Sequence, residues 1–196
     1  MDKKDKRSTY TIIGIAPEKI QQLFCKLKQS FNLPFGDSKI ASKFILKDIA
    51  HFAIKRSFCL KQGITEEDLV KKVEKMKFNK KIQIVCKKSE FFLDTNLGDI
   101  LYAEIASNNE LLNLHKEIKQ EIDSIVDTKR IEMEGEGCKP HISVVYDISK
   151  EKEEDVMQEL DTNILPFHFY LDNIILLRDI DSSKDLREIV YTYNLL

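Results

Sequence analysis

Residues 49–58, Ile-Ala-His-Phe-Ala-Ile-Lys-Arg-Ser-Phe, and residues 139–148, Lys-Pro-His-Ile-Ser-Val-Val-Tyr-Asp-Ile, decide how this chain is read. Each carries a histidine at its third position, and the two histidines, His51 and His141, lie 90 residues apart. In a strand, residues i and i+2 share one face while i+1 and i+3 share the other. Phe52, Ile54, Ile142 and Val144 therefore belong to a core, while His51, Ala53, Lys55, His141, Ser143 and Val145 point the other way.

The same offset of 90 carries Thr9 onto Asp99, Pro17 onto Ser107 and Ile84 onto Ile174. Around these positions the chain reads as strand 8–16, helix 17–31 with an apolar face of Ile20, Leu23, Phe24, Leu27 and Phe31, a turn at 33–37, strand 49–58, helix 65–77 and strand 80–86. A second series follows: strand 99–106, a long helix 107–126, strand 140–148, helix 149–160 and closing strands 167–177 and 188–194 around a turn at Asp181-Ser182-Ser183. The order βαβαβ thus occurs twice, with one further strand at the end. The expected fold is α+β: a single bilobal domain over 1–196, a pseudo-repeat of approximately 8–88 and 98–196, two antiparallel-containing sheets facing a central groove, and helices on the outer faces.

Composition bounds the function. The 196 residues are 42% hydrophobic and 33% charged, with a net charge of -2, which suits a folded chain rather than a disordered one. With 31 Lys+Arg against 33 Asp+Glu, a protein that coats nucleic acid through a broadly basic surface is excluded, whereas a site for one nucleotide or one nucleic-acid end is not. No apolar run approaches the roughly 20 residues of a membrane span, and the start Met-Asp-Lys-Lys-Asp-Lys-Arg lacks a signal-type core, so a cytoplasmic location without membrane partners is expected. Cys25, Cys59, Cys86 and Cys138 form no Cys-x-x-Cys pair and read as free thiols.

Paired histidines suit phosphoryl chemistry because an imidazole titrates near pH ~6.5: a neutral ring accepts a proton while a second, its pKa raised by a bound phosphate, donates one. A Ser hydroxyl two residues on can donate to a nonbridging phosphate oxygen. His141-Ile142-Ser143, preceded by Lys139-Pro140, resembles the second signature of the 2H phosphoesterases, the superfamily of LigT-like 2',5'-RNA ligases and RNA 2',3'-cyclic phosphodiesterases. Residues 51–58 resemble the first signature, and residues 171–179 with 187–195 resemble the terminal hairpin. The resemblance implies a metal-independent, cofactor-free phosphodiesterase, a monomer, in which His51 and His141 are the acid/base pair and Ser143 binds the phosphate. Its implied partner is an RNA end or small nucleotide with a cyclic or 2',5'-linked phosphate, cleaved or, in reverse, ligated.

Ala53 departs from the pattern, standing where the family has Thr or Ser. Losing one such donor typically costs ~100- to 1000-fold in rate. Slower turnover, a substitute donor such as Lys55 or a backbone N–H, and conversion to a phosphate-end binding module are the three consequences open to the sequence. Lys55 lies roughly 13 Å from His51 along an extended strand, which suits a neighbouring phosphate better than the reacting one. His115 and His168 have no partner motif and read as structural or surface residues. Tyr10, Phe35, Tyr102 and Tyr146 are candidates to stack on a base. Glu134-Gly135-Glu136-Gly137 reads as a connection rather than a phosphate loop, Lys150–Asp155 as a solvated helix start, and Lys3, Lys4, Lys6 and Arg7 as a solvated terminus.

Overall fold

Pro17, its φ already near -63°, opens helix α1 (Glu18–Ser30), which follows strand β1 (Thr9–Ile15) and buries Ile20, Phe24 and Leu27. After the short strand β2 (Lys43–Ile45) and a 3-10 turn come β3 (His51–Leu60) and α2 (Glu66–Glu74). Helix α2 begins with a capping box in which the Thr65 side chain accepts from Asp68 N and Asp68 accepts from Thr65 N. Strand β4 (Ile82–Thr95) and β5 (Gly98–Ile105) form a hairpin, followed by α3 (Asn109–Ile122), β6 (Val126–Thr128), β7 (His141–Val145), α4 (Lys150–Glu159), β8 (Phe167–Leu171), β9 (Asn173–Asp181) and β10 (Leu186–Asn194). The structure is a computed structural model describing residues 7–36, 41–78, 80–95, 98–128 and 139–195. The Glu134–Gly137 connection, Cys138, Asp37 and the three lysines of the terminus lie outside the described residues.

The strands form two sheets, one of six in the order β2-β10-β9-β1-β3-β6 and one of four in the order β7-β5-β4-β8. Every pairing is antiparallel. The architecture is α+β, as read. The partition of strands is not that of the two sequence halves, however. Strand β9 pairs with β1, and β4 pairs with β5, so each sheet takes strands from both halves of the chain. The three-strand unit β9-β1-β3 in one sheet has its counterpart β4-β5-β7 in the other, with the strands equated by the 90-residue offset in corresponding places.

Several element boundaries differ from the sequence reading. Residues 167–177 are two strands, because Asp172 separates β8 in the four-stranded sheet from β9 in the six-stranded one. Helix α3 ends at Ile122 rather than 126, where Val126–Thr128 adds a strand to the edge of β3. Strand β4 runs on to Thr95, and Asp94 and Gly98 turn the hairpin with positive φ of 54° and 74°.

One apolar core joins α1, α2, α3 and α4 to both sheets. Phe24 of α1, Leu69 of α2, Leu114 of α3 and Val156 of α4 share it with Phe52, Ile84, Ile142 and Leu176 from the strands. A smaller cluster covers the opposite face of the six-stranded sheet, where Phe44, Leu46 and Ile49 pack on Ile13, Ile175 and Leu177. His51 and Ala53, cross-strand partners of Ile15 and Ile13, are on this second face.

Candidate active site

His51 is the first residue of β3 and His141 the first of β7, so each ring stands where a strand emerges from a connection. Burial of Phe52 and Ile54, and of Ile142 and Val144, fixes the strand faces and turns both histidines away from the main core. Gln21 locks the approach to His51: its Nε2 donates to Ala16 O at 3.0 Å and Ala50 O at 2.9 Å, while its Oε1 accepts from Ala50 N at 2.6 Å. These bonds tie α1 to the residue before the histidine and satisfy a buried amide completely at the backbone.

The two rings are held alike. His51 Nδ1 lies 2.7 Å from Ile49 O, and His141 Nδ1 lies 2.7 Å from Lys139 O. A carbonyl oxygen only accepts, so each Nδ1 carries the proton and each neutral ring keeps its lone pair on Nε2. Both rings line one cavity of about 840 Å³, together with Ala53, Arg56, Ser143 and Tyr146. Each is neutral near pH 7. Burial pushes the His51 pKa down to about 4, opposed by the bond to Ile49 O and helped by the cations Arg187 and Lys28 and by His141 when that ring is protonated. Burial also lowers His141, against the pull of Lys139 O and with help from Arg56.

A wall of aromatic rings backs His141. Phe92 packs edge-on against the imidazole at 4.8 Å between centroids, Tyr102 lies tilted against it at 5.1 Å, and the two aromatic rings stack at 4.1 Å. The Tyr102 hydroxyl donates to Glu90 Oε2 at 2.7 Å, and Glu90 is anchored by Lys88 at 2.6 Å. Ser143 lies on the histidine face of β7 and lines the cavity together with Tyr146.

Lys55 is not at the cavity, which corrects its predicted orientation. The β1–β3 pairing slips by one residue on either side of Lys55: Ile13 faces Ala53, Ile12 faces Lys55, and Tyr10 faces Phe58. The first bulge puts Lys55 on the face of Ile12, beneath α3, where it is 0% exposed and its Nζ meets Asp123 Oδ1 at 3.2 Å and Thr128 Oγ1 at 3.1 Å. Arg56 takes the cavity side instead. Period-two alternation holds from His51 to Ile54 and then changes phase.

Of the stacking candidates, Tyr146 lines the cavity and Tyr102 supports His141, whereas Tyr10 is buried against Phe58 and Phe35 flanks a neighbouring cleft that also reaches Ser143. Sequence reading missed Arg56 and the extension of β4, whose Phe91, Phe92, Leu93, Asp94 and Thr95 form one side of the cavity. The signal was present: Phe91-Phe92-Leu93 is a β-prone triplet close ahead of a glycine. His168 is exposed on β8, and neither it nor His115 lines the cavity. Cys59 and Cys86 are buried free thiols, and Cys25 is a partly buried one. Among the described residues no group of three His, Cys, Asp or Glu side chains is arranged to hold a metal ion, and no helix is long and apolar enough to cross a membrane.

No protein-family model matches the chain, and no curated protein matches it. Solved structures do. Escherichia coli LigT complexed with 3'-AMP superposes with a TM-score of 0.59 at 10% identity, over 97% of this chain and 99% of that one. The same protein complexed with ATP gives 0.61 at 8% identity, over 97% and 99%. A protein of Thermus thermophilus gives 0.60 at 10% identity, over 95% and 97%. With nearly the whole of both chains aligned and two histidine-bearing strands beside one cavity, the resemblance read from the motifs holds at the level of architecture: this chain has the fold of LigT.

Proposed function

We propose that the protein is a 2H-type phosphodiesterase that opens 2',3'-cyclic phosphate ends of RNA or a related nucleotide. The observation that carries this reading is the pair of imidazoles on one cavity, each with Nδ1–H held by a carbonyl two residues earlier and Nε2 left to exchange a proton. One neutral histidine takes a proton from water as the water oxygen bonds to phosphorus. The other, protonated when the anionic phosphate arrives, gives its proton to the ribose oxygen as the P–O bond breaks. The Ser143 hydroxyl donates to a nonbridging oxygen whose charge grows in that step. LigT complexes with 3'-AMP and ATP support a phosphorylated nucleotide as the ligand class.

The test is turnover of 2',3'-cyclic nucleotides and 2',5'-oligoadenylate by purified protein, with and without EDTA. His51→Ala and His141→Ala should each abolish nearly all turnover, with the double variant little worse than either single one, because the pair acts as a unit. Turnover in the double variant, or its loss with EDTA, would refute this chemistry. A methyl group at Ala53 favours a second reading, a phosphate-end binding module, for which tight binding of a cyclic nucleotide without products is the expected result.

A further inference from the structure

We propose that Arg56 supplies the phosphate-oxygen contact that the first histidine motif lacks at Ala53. The inference rests on the reading of the cavity as a phosphate-ester site. The two motifs would each present a histidine and, two residues on, a hydroxyl; here only Ser143 does so. A site with one hydroxyl leaves part of the charge on the nonbridging oxygens without a donor, and an enzyme built this way needs another.

The bulges in β3 create one. In an unbroken strand Arg56 would share the face of Phe52 and Ile54 and point into the core, where an unsatisfied guanidinium is costly. The slip beside Ile54 sends Lys55 to that face instead and brings Arg56 to the side of His51 and Ala53. Among the described residues, Arg56 is the only lysine or arginine that lines the cavity. Lys55, Arg187 and Lys28 do not line it. Lys55 is held by Asp123 and Thr128, and Arg187 by Asp179 at 2.5 Å and Asp185 at 2.9 Å. Lys28 opens onto a cleft of about 10 Å³, too small for a phosphate group.

A guanidinium suits the task better than the missing hydroxyl in one respect and worse in another. Its planar fork grips two oxygens of one phosphate and remains charged at every working pH. It binds ground state and transition state alike, however, so it contributes to affinity more than to rate. Its charge also helps to keep His141 neutral until an anion offsets it, which links anion arrival to protonation of that ring.

The experiment is titration of wild type, Arg56→Gln, Arg56→Lys and Ala53→Thr/Arg56→Gln with inorganic phosphate and 3'-AMP. Binding is followed by calorimetry and the His141 ring by NMR. Arg56→Gln should weaken phosphate binding at least tenfold and raise the His141 pKa of the free protein. Arg56→Lys should fall between it and wild type, and the added threonine should recover part of the loss. An Arg56→Gln protein with a native NMR spectrum and wild-type phosphate affinity overturns the inference, as does a wild type that binds no phosphate. Should Arg56→Gln fail to fold, Arg56→Lys decides, since unchanged phosphate affinity and KM in that variant also overturn it. Wild type that turns over no cyclic nucleotide, yet binds phosphate in an Arg56-dependent way, upholds Arg56 and refutes the phosphodiesterase reading. Turnover with Arg56-independent phosphate binding does the reverse.

Discussion

Lowering the pH should destabilise this protein through His51 in a way that a His51→Gln variant escapes. The ring is half-buried, donates to Ile49 O, and has its pKa pushed from 6.5 down to about 4. In the unfolded chain the imidazole binds a proton below pH ~6.5; in the folded protein it does so only below about 4. Between those values the unfolded state holds more protons, so stability falls as pH falls, and the full difference is about 3 kcal/mol. This is a ceiling, because water in the cavity of about 840 Å³ solvates part of a charged ring. The assay is urea unfolding of wild type and His51→Gln at half-unit steps from pH 8 to 4, reading the difference between the two at each pH. The groups they share cancel. The wild type should lose about 1 to 3 kcal/mol relative to the variant between pH ~6.5 and ~4, with no change in the difference above pH ~7. A difference that is constant across the range would show that His51 titrates normally and would remove the physical basis for a neutral ring awaiting an anion.

The Lys55–Asp123 pair, buried at the lysine and exposed at the carboxylate, should respond asymmetrically. Lys55→Met leaves a carboxylate that can turn to water and should cost under about 1 kcal/mol, whereas Asp123→Ala leaves the ammonium of a fully buried side chain and should cost about 2 kcal/mol. The reverse order in urea unfolding would contradict the observed burial. Gly14→Ala should cost about 1 to 3 kcal/mol by overpacking, since the new methyl would overlap the Phe52 ring and lie 2.8 Å from Leu171 Cδ1; an unchanged melting temperature would count against this packing. Phe92→Ala admits water to the edge of His141 and should raise the pKa of that ring toward 6.5; an NMR titration that shows no upward shift would mean that the aromatic wall does not govern it.

Much of the architecture was legible because burial leaves a periodic mark. The apolar stripe Ile20, Phe24, Leu27 marks α1, Leu111, Leu114, Ile118, Ile122 marks α3, and both stripes are buried in the structure as the spacing requires. The histidine faces of β3 and β7 followed from alternation over four residues, and in β3 the exposure of side chains keeps that alternation from His51 to Ile54. Arg56 was not legible for the same reason: a bulge inserts one residue without changing composition or pattern, and reverses every face beyond it. The break at Asp172 was hidden in a similar way, because β8 and β9 are both apolar and only their partners distinguish them.

By itself the sequence determined the helices and most of the strands, the α+β class, and the two histidine-bearing strands at equal offsets, since each of these depends on residues close together in the chain. Tertiary structure alone decided which strands share a sheet, and so that β9 and β4 cross to the other half's sheet. It also decided that the extended β4 walls the cavity and that Arg56 rather than Lys55 faces it. These outcomes are set by pairing register and by contacts between residues far apart, and a strand's own sequence is compatible with more than one partner and, past a bulge, with either face.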